Sequence, residues 1–287
     1  MEQRRVGGSG LTSSCVGLGT ATWGRDTDEH EAADQLKAFV EAGGSLLDTA
    51  DTYANGDSER VIGVVLAKAV DRADVVIATK AGGLAPHERQ GGRRRDMSRR
   101  HLLKALDDSL DRLGIEHVDL WQLHGFDPLT PLEETLSALD AAVTSGRARY
   151  VGISNYSGWQ TAKAASWQAA WPGRAPLVST QVEYSLLERG VEREVAPAAP
   201  DAGMPVPHVG TLRAGKACIA PRHALVMRHR RIDAMHGKTS AGGGPEAKPV
   251  PPWLAGAAIG LTLLGMASGA IALGAGLAMT QSIGRGQ

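Results

Sequence analysis

Residues 45–48 read Ser-Leu-Leu-Asp, 75–80 Val-Val-Ile-Ala-Thr-Lys, 118–124 Val-Asp-Leu-Trp-Gln-Leu-His, 150–153 Tyr-Val-Gly-Ile and 177–182 Leu-Val-Ser-Thr-Gln-Val. Apolar runs of about five residues predict strands buried on both faces. Between them lie stretches of helical period. Leu102, Leu103, Leu106, Leu110 and Leu113 recur every three or four residues, with Ser98 as a cap and Gly114 as a stop. Ser58 is expected to cap a second helix carrying Val61, Ile62, Val65 and Leu66, and a third runs from Glu31 to Val40 and ends at Gly43-Gly44. Strand and helix alternating, with continuously apolar strands, means parallel pairing with helices outside, because compact crossovers between parallel neighbours are right-handed.

Working outward, the run Val16-Gly17-Leu18-Gly19-Thr20 brings the strands before residue 183 to six, spaced by roughly 25 to 40 residues. That is the rhythm of an α/β fold of the (β/α)₈ TIM-barrel type, here incomplete, with six strand–helix units legible. The open doubly wound sheet is the rival, but no Gly-x-Gly-x-x-Gly follows a strand and opens a helix. Arg4 to Ser14, centred on Gly7-Gly8-Ser9-Gly10, reads as a β-hairpin ahead of the barrel.

The 287 residues suffice for a sizeable core. Lys plus Arg and Asp plus Glu are 31 each, which argues against a nucleic-acid partner. The zero net charge is a composite. Residues 1–200 hold 22 basic and 28 acidic residues, and residues 201–287 hold 9 and 3. Cys15 and Cys218 make no disulfide framework, and the N-terminal residues lack the apolar run of a secretory signal, so a reducing, cytoplasmic setting is expected.

The pattern stops near Met204. From 185 to 252 there is no aromatic residue, and 205–252 reads as a basic, Gly/Pro-rich linker. Residues 253–287 form an apolar Gly/Ala-rich tail whose 28 uncharged residues, Trp253 to Thr280, meet the length of a transmembrane helix and carry Gly256-x-x-x-Gly260 and Gly265-x-x-x-Gly269. Membrane association through 253–280 is therefore one expectation. The domain reading is 1–204 as a partial barrel, 205–252 as linker and 253–287 as tail.

In such a barrel, chemistry sits at the C-terminal ends of the strands. Asp48 ends one run and Tyr53 follows it, Lys80 and His124 end the next two, and Ser154, Asn155, Gln181 and Tyr184 follow the last two. Polar residues end strands because loops begin there, but that does not account for these ionisable types. An ammonium beside a tyrosine favours the phenolate, and a carboxylate holds that ammonium charged and oriented. Such a tyrosine can act as a general acid towards a carbonyl oxygen, which a histidine can also hydrogen-bond.

The segments Leu47-Asp48-Thr49-Ala50-Asp51-Thr52-Tyr53, Ile77-Ala78-Thr79-Lys80, Leu120-Trp121-Gln122-Leu123-His124, Gly152-Ile153-Ser154-Asn155 and Gln181-Val182-Glu183-Tyr184-Ser185 resemble those of the aldo-keto reductases, over roughly residues 1–204. The resemblance implies NADPH-dependent reduction of an aldehyde or ketone to an alcohol, with NADH kept open. It implies Asp48, Tyr53, Lys80 and His124 as the catalytic tetrad, Ser154, Asn155 and Gln181 on the nicotinamide carboxamide, and Tyr184 stacked on the ring. Trp23, just past the first strand, is placed to line a substrate pocket or to pack at the rim. Arg93-Arg94-Arg95 with Arg99 and Arg100 reads as a solvated loop in preference to an acidic-substrate subsite. His208, His223, His229 and His236 have no ligand spacing, and no metal is expected. The resemblance implies a small carbonyl compound as the partner.

The resemblance also implies two further strands and a loop of the form Trp-x-Pro-Leu-x-x-Gly over the cofactor diphosphate, none of them readable after 204. Without them, two open edges predict poor solubility and weak cofactor retention. Back-translating 207–216 and reading one base later permits Trp-Ala-Pro-Phe-Gly-Arg-Gly, with its Trp five residues after Met204. A one-base frame change near 200–206 is thus a hypothesis for the tail. The alternatives to an active reductase are a non-catalytic cofactor-binding or membrane-associated accessory protein and an inactive frameshifted product. Resequencing the gene is expected to find a single-base change that opens a frame for two more strands. The idea fails if none does.

Overall fold

The computed structural model describes residues 1–84, 88–89, 91–184 and 188–201. The expected linker over 205–252 and the expected apolar tail over 253–287 lie outside the described residues. A hairpin comes first, with β1 (Gln3–Arg5) antiparallel to β2 (Thr12–Ser14). Six strands then pair in parallel and in chain order: β3 (Gly17–Gly19), β4 (Leu46–Asp48), β5 (Val76–Ala81), β6 (Val118–Leu123), β7 (Ala148–Ser154) and β8 (Leu177–Gln181). Among the described residues the sheet runs from β3 to β8 as an incomplete barrel of the TIM type.

The helices are α1 (Glu29–Glu41), α2 (Asp57–Ala69), α3 (Arg99–Leu113), α4 (Leu132–Thr144), α5 (Gly158–Ala169) and α6 (Val195–Asp201). Their ends follow local chemistry. Asp28 caps α1 by accepting from the His30 and Glu31 amides, and Ser157 and Gln160 form a reciprocal capping box on α5. Ser98 caps α3, which stops at Gly114 in the left-handed region with φ of 65°. Ser58 departs from its expected role. The cap of α2 is Gly56, and Ser58, inside the first turn, donates instead to the Thr20 carbonyl at 2.8 Å. Its hydroxyl also lies 2.8 Å from Thr20 Oγ1 and 3.1 Å from Thr49 Oγ1, so a buried hydroxyl cluster ties the loop after β4 to α2.

The two faces of the strands have different tasks. Leu47, Ile77, Trp121, Val151 and Leu177 point outward and pack with the helix stripes Ile62, Val65, Leu102, Leu106, Leu136 and Leu139 in one core. Burying each large apolar side chain contributes about 1.5–3 kcal/mol. Leu46, Ala78, Leu120 and Val178 point inward and meet Val6 of the hairpin in a second, smaller core. The alternation breaks once. Val151 pairs with Leu177 and Gly152 with Ser179, so Val178 is an extra residue in β8. This bulge turns both Val178 and Ser179 inward and carries Gln181 to the interior as well.

Helices α2 and α3 approach closely. A Cβ on Gly63 would lie 2.8 Å from the Arg112 carbonyl oxygen. At the same contact Glu59 is fully buried, accepting from Thr79 Oγ1 at 2.6 Å and from Arg112 Nε at 2.8 Å. Burial raises the Glu59 carboxyl above the ordinary range, and the opposing pull of Arg112 and Thr79 does not cancel it. Removing one partner of a buried ion pair leaves an uncompensated charge, at a cost of about 3–5 kcal/mol. Arg112→Met is expected to lower stability by about that much, read as a drop in the urea midpoint, while adding Glu59→Gln to it is expected to recover a large part.

Candidate active site

Alternation along the inward face carries the polar strand ends to the same end of the sheet. Asp48 stands two residues beyond Leu46, Lys80 two beyond Ala78, and His124 four beyond Leu120. Asp48 is registered with Ala78 and Lys80 with Gln122. Lys80 is 1% exposed and all three of its N–H groups are used. Its Nζ donates to Asp48 Oδ1 at 2.8 Å, to the Thr49 carbonyl at 2.8 Å and to the Tyr53 hydroxyl at 3.3 Å. Gln181 Nε2 donates to the same Asp48 oxygen at 3.1 Å.

Tyr53 opens a short 3₁₀ turn, Tyr53–Gly56, in which Ala54 (φ 49°) and Asn55 (φ 57°) lie in the left-handed region, followed by Gly56 (φ 94°). A non-glycine residue costs about 1–2 kcal/mol there, so surrounding contacts hold this turn. Its effect is to face the ring towards Lys80, whose Nζ is 5.0 Å from the centroid, and edge-on to His124 at 6.0 Å and 77°.

His124 leaves β6 with its amide donating to the Ala81 carbonyl at 2.9 Å, while its own carbonyl accepts from Asn155 Nδ2 at 3.1 Å. Asn155 is in the left-handed region, with φ of 56°, and its Nδ2 also reaches Ser154 Oγ at 3.1 Å. The Asn155 amide donates to the Gln181 carbonyl at 2.8 Å, which aligns the ends of β7 and β8. Ser154 is buried beside it and Asn155 is exposed.

Asp48, Tyr53, Lys80 and His124 are thus brought together, with Ser154, Asn155 and Gln181 at the neighbouring strand ends. Two expected residues stand differently. The Tyr184 hydroxyl donates to Glu192 Oε1 at 2.7 Å, a hydrogen bond that, with burial and the Glu192 charge, raises its phenol above the ordinary value. Trp23 has no exposed surface and its indole N–H donates to Gln35 Oε1 at 3.0 Å. It packs in the outer core.

In the arginine cluster, Arg93 bonds Asp127 Oδ2 at 2.8 Å and Asp96 Oδ1 at 3.2 Å, and Arg99 bonds the Ser137 carbonyl at 2.6 Å. Burial would raise the Asp127 carboxyl, but hydrogen bonds from Arg93, Thr130 and two backbone amides hold it below the ordinary range. Arg93 thereby pins the loop after β5 to the loop after β6, and Arg99 joins α3 to α4. Asp51 escaped sequence reading, although it lies within the quoted motif. Its Oδ2 accepts from the Gly82 amide at 3.3 Å and its Oδ1 comes within 4.0 Å of His124 Nδ1.

Among the described residues no group of three or more His, Cys, Asp or Glu side chains could hold a metal ion, and no helix is long and apolar enough to cross a membrane. The stretch 253–280 lies outside them.

A phenol backed by a buried ammonium, with an imidazole edge-on to it, can donate a proton and a hydrogen bond to a single oxygen. The family model described as the aldo/keto reductase family matches residues 15–218. The oxidoreductase YrpG of Bacillus subtilis (strain 168) is 36% identical over 247 residues, covering 80% of this chain and 76% of its own length. Versiconal hemiacetal acetate reductase of Aspergillus parasiticus is 35% identical, covering 71% and 65%. Of solved structures, the holo form of aldo-keto reductase AKR11C1 from Bacillus halodurans superposes with a TM-score of 0.61 at 32% identity, covering 72% of this chain and 65% of that one. The thermostable aldo-keto reductase Tm1743, in complex with the inhibitor epalrestat, gives 0.64 at 28%, covering 83% and 82%. The chain belongs to the aldo/keto reductase family, a family of oxidoreductases. It spans 65–76% of the length of the first two relatives named.

Burial alone would depress the Lys80 ammonium, but the charges and hydrogen bonds of Asp48 and Tyr53 outweigh it and hold its pKa above the free value of 10.5. A group raised in this way stabilises the fold fully below its unfolded value and loses that contribution as pH rises through the folded one. The urea midpoint is therefore expected to fall as pH rises beyond about 10.5. In Lys80→Met, which leaves Asp48 buried without its partner, the midpoint is expected to be lower at neutral pH and less steep in alkali.

Proposed function

We propose that this chain is an NAD(P)H-dependent reductase of aldehydes or ketones, with NADPH as the cofactor the family resemblance favours. The observation that carries the reading is the Lys80 ammonium, shared between Asp48 and the Tyr53 hydroxyl inside the barrel. That charge favours the anion that Tyr53 becomes when it gives up its proton. Tyr53 Oη accordingly delivers a proton to the carbonyl oxygen, and Lys80, held charged by Asp48, compensates the phenolate left behind. His124 hydrogen-bonds the same oxygen and orients the carbonyl.

The reduced nicotinamide, when bound, supplies the hydride that the carbonyl carbon accepts, so that one hydride and one proton convert the carbonyl to an alcohol. The residues present fit its carboxamide on one count. Gln181 Oε1 is buried and has no partner among the described residues, while the amide nitrogen of the same side chain is committed to Asp48. Ser154 and Asn155 would hold the remaining edge of that group, and Tyr184 would lie against its ring once the Glu192 contact yields. We further propose the division into a barrel over 1–204, a linker over 205–252 and an apolar tail over 253–287.

The test is a fluorescence titration of the full chain with NADPH, then turnover of nitrobenzaldehyde. Binding with turnover supports the reductase. Binding without turnover favours the accessory-protein reading, and neither favours an inactive product. Tyr53→Phe is expected to cut kcat by about 10²-fold or more while NADPH binding is spared, and unchanged turnover would remove Tyr53 from its role.

A further inference from the structure

Two buried polar atoms at the site face each other, Asp51 Oδ1 and His124 Nδ1, 4.0 Å apart, and neither has a hydrogen-bond partner among the described residues. Leaving a buried donor or acceptor unpaired costs about 1–3 kcal/mol, so two orphans at this distance call for an account. Both groups are fixed from behind. The Asp51 amide donates to the Lys80 carbonyl at 3.0 Å and its Oδ2 accepts from Gly82, so the carboxylate is anchored to the end of β5. The His124 backbone is held on both sides by Ala81 and Asn155. A Cβ on Gly83 would lie 3.4 Å from Nδ1 and 3.5 Å from Thr52 Oγ1, so Gly83 and Thr52 flank this side of the ring.

We propose that Asp51 is the positioning residue of His124: its carboxylate takes the hydrogen bond from Nδ1–H and so decides which imidazole nitrogen is bare. The inference rests on the reading of Tyr53 and His124 as the carbonyl site. A neutral imidazole has one N–H and one lone pair. With Nδ1 bare, a lone pair would face a carboxylate oxygen in a buried space. With the proton on Nδ1 both orphans are satisfied by a shift of about 1 Å, from 4.0 Å to hydrogen-bond distance. The neutral ring then offers Nε2 as an acceptor only, and the doubly protonated ring donates from both nitrogens. His124 thus donates to a carbonyl oxygen when charged and accepts from an alcohol hydroxyl when neutral.

The other charged or titratable groups around this pair are Tyr53 with Lys80 and Asp48 behind it, and Arg95, whose guanidinium packs against Gly125. Asp51 also acts on Glu59 of α2, which Arg112 already pairs.

The experiment is long-range ¹H–¹⁵N NMR of the full chain labelled at histidine, with the His124 signals assigned by their loss in His124→Gln. In mildly alkaline buffer the wild type is expected to give the Nδ1–H pattern. Asp51→Asn, whose amide can donate to Nδ1, is expected to shift the tautomer ratio towards Nε2–H by at least about tenfold. A wild-type His124 in the Nε2–H form, or a ratio unmoved by Asp51→Asn, overturns the proposal, and the wild-type spectrum alone decides it if the variant does not fold. A chain that turns over no carbonyl compound sinks the proposed reaction but leaves the tautomer result standing.

Discussion

A lysine ammonium with 1% of its surface exposed is the constraint on which this site depends. A charge in that position is tolerated only if it is paired and its hydrogen bonds are complete. Lys80 meets both conditions through Asp48, the Thr49 carbonyl and the Tyr53 hydroxyl. Each partner comes from β4 or the loop after it, so satisfying one buried cation forces β4, β5 and that loop into a single arrangement. The stability of the fold and the chemistry of the site are here the same set of contacts.

The loop after β4 carries most of the strain and most of the bracing. Tyr53 precedes two non-glycine residues in the left-handed region, a conformation that persists only where the surroundings enforce it. The bracing comes from two directions. Ser58 with Thr20 and Thr49 ties the front of the loop to β3 and α2, and Glu59, immediately after Ser58, locks α2 to β5 through Thr79 and to α3 through Arg112. A polar pair in the helix layer, remote in sequence from Lys80, thereby holds the tyrosine at the lysine.

Much of this was legible in the chain. The six strands fall within the apolar runs, give or take one or two residues, because a strand buried on both faces must be continuously apolar. Asp48, Lys80 and His124 stood out because ionisable side chains at the ends of such runs have no packing reason to be there. Other features were not legible, and each for a physical reason. Ser58 is followed by an apolar helical stripe, which is what a cap looks like, yet its hydroxyl has better partners across the fold in Thr20 and Thr49. For Trp23 the residues along the chain left pocket and packing equally open, and the partner of its indole, Gln35 of α1, lies twelve residues on. Asp51 sat among motif residues with nothing in its neighbours to separate it from Asp48.

By itself the sequence determined the period of the elements, the inward and outward faces of most strands, and the supply of a carboxylate, a phenol, an ammonium and an imidazole at strand ends. These follow from local rules: alternation every second residue in strands, recurrence every three or four in helices, and polar residues where loops begin. Only the tertiary structure decided the rest. The extra residue Val178 in β8 turns Gln181 to the interior, against the alternation counted from Leu177, and brings its amide to Asp48. That Asp51 faces His124 was likewise settled only by the fold. The reason is common to both cases: a bulge and a pairing distance belong to two strands at once, and no residue read along one strand contains them.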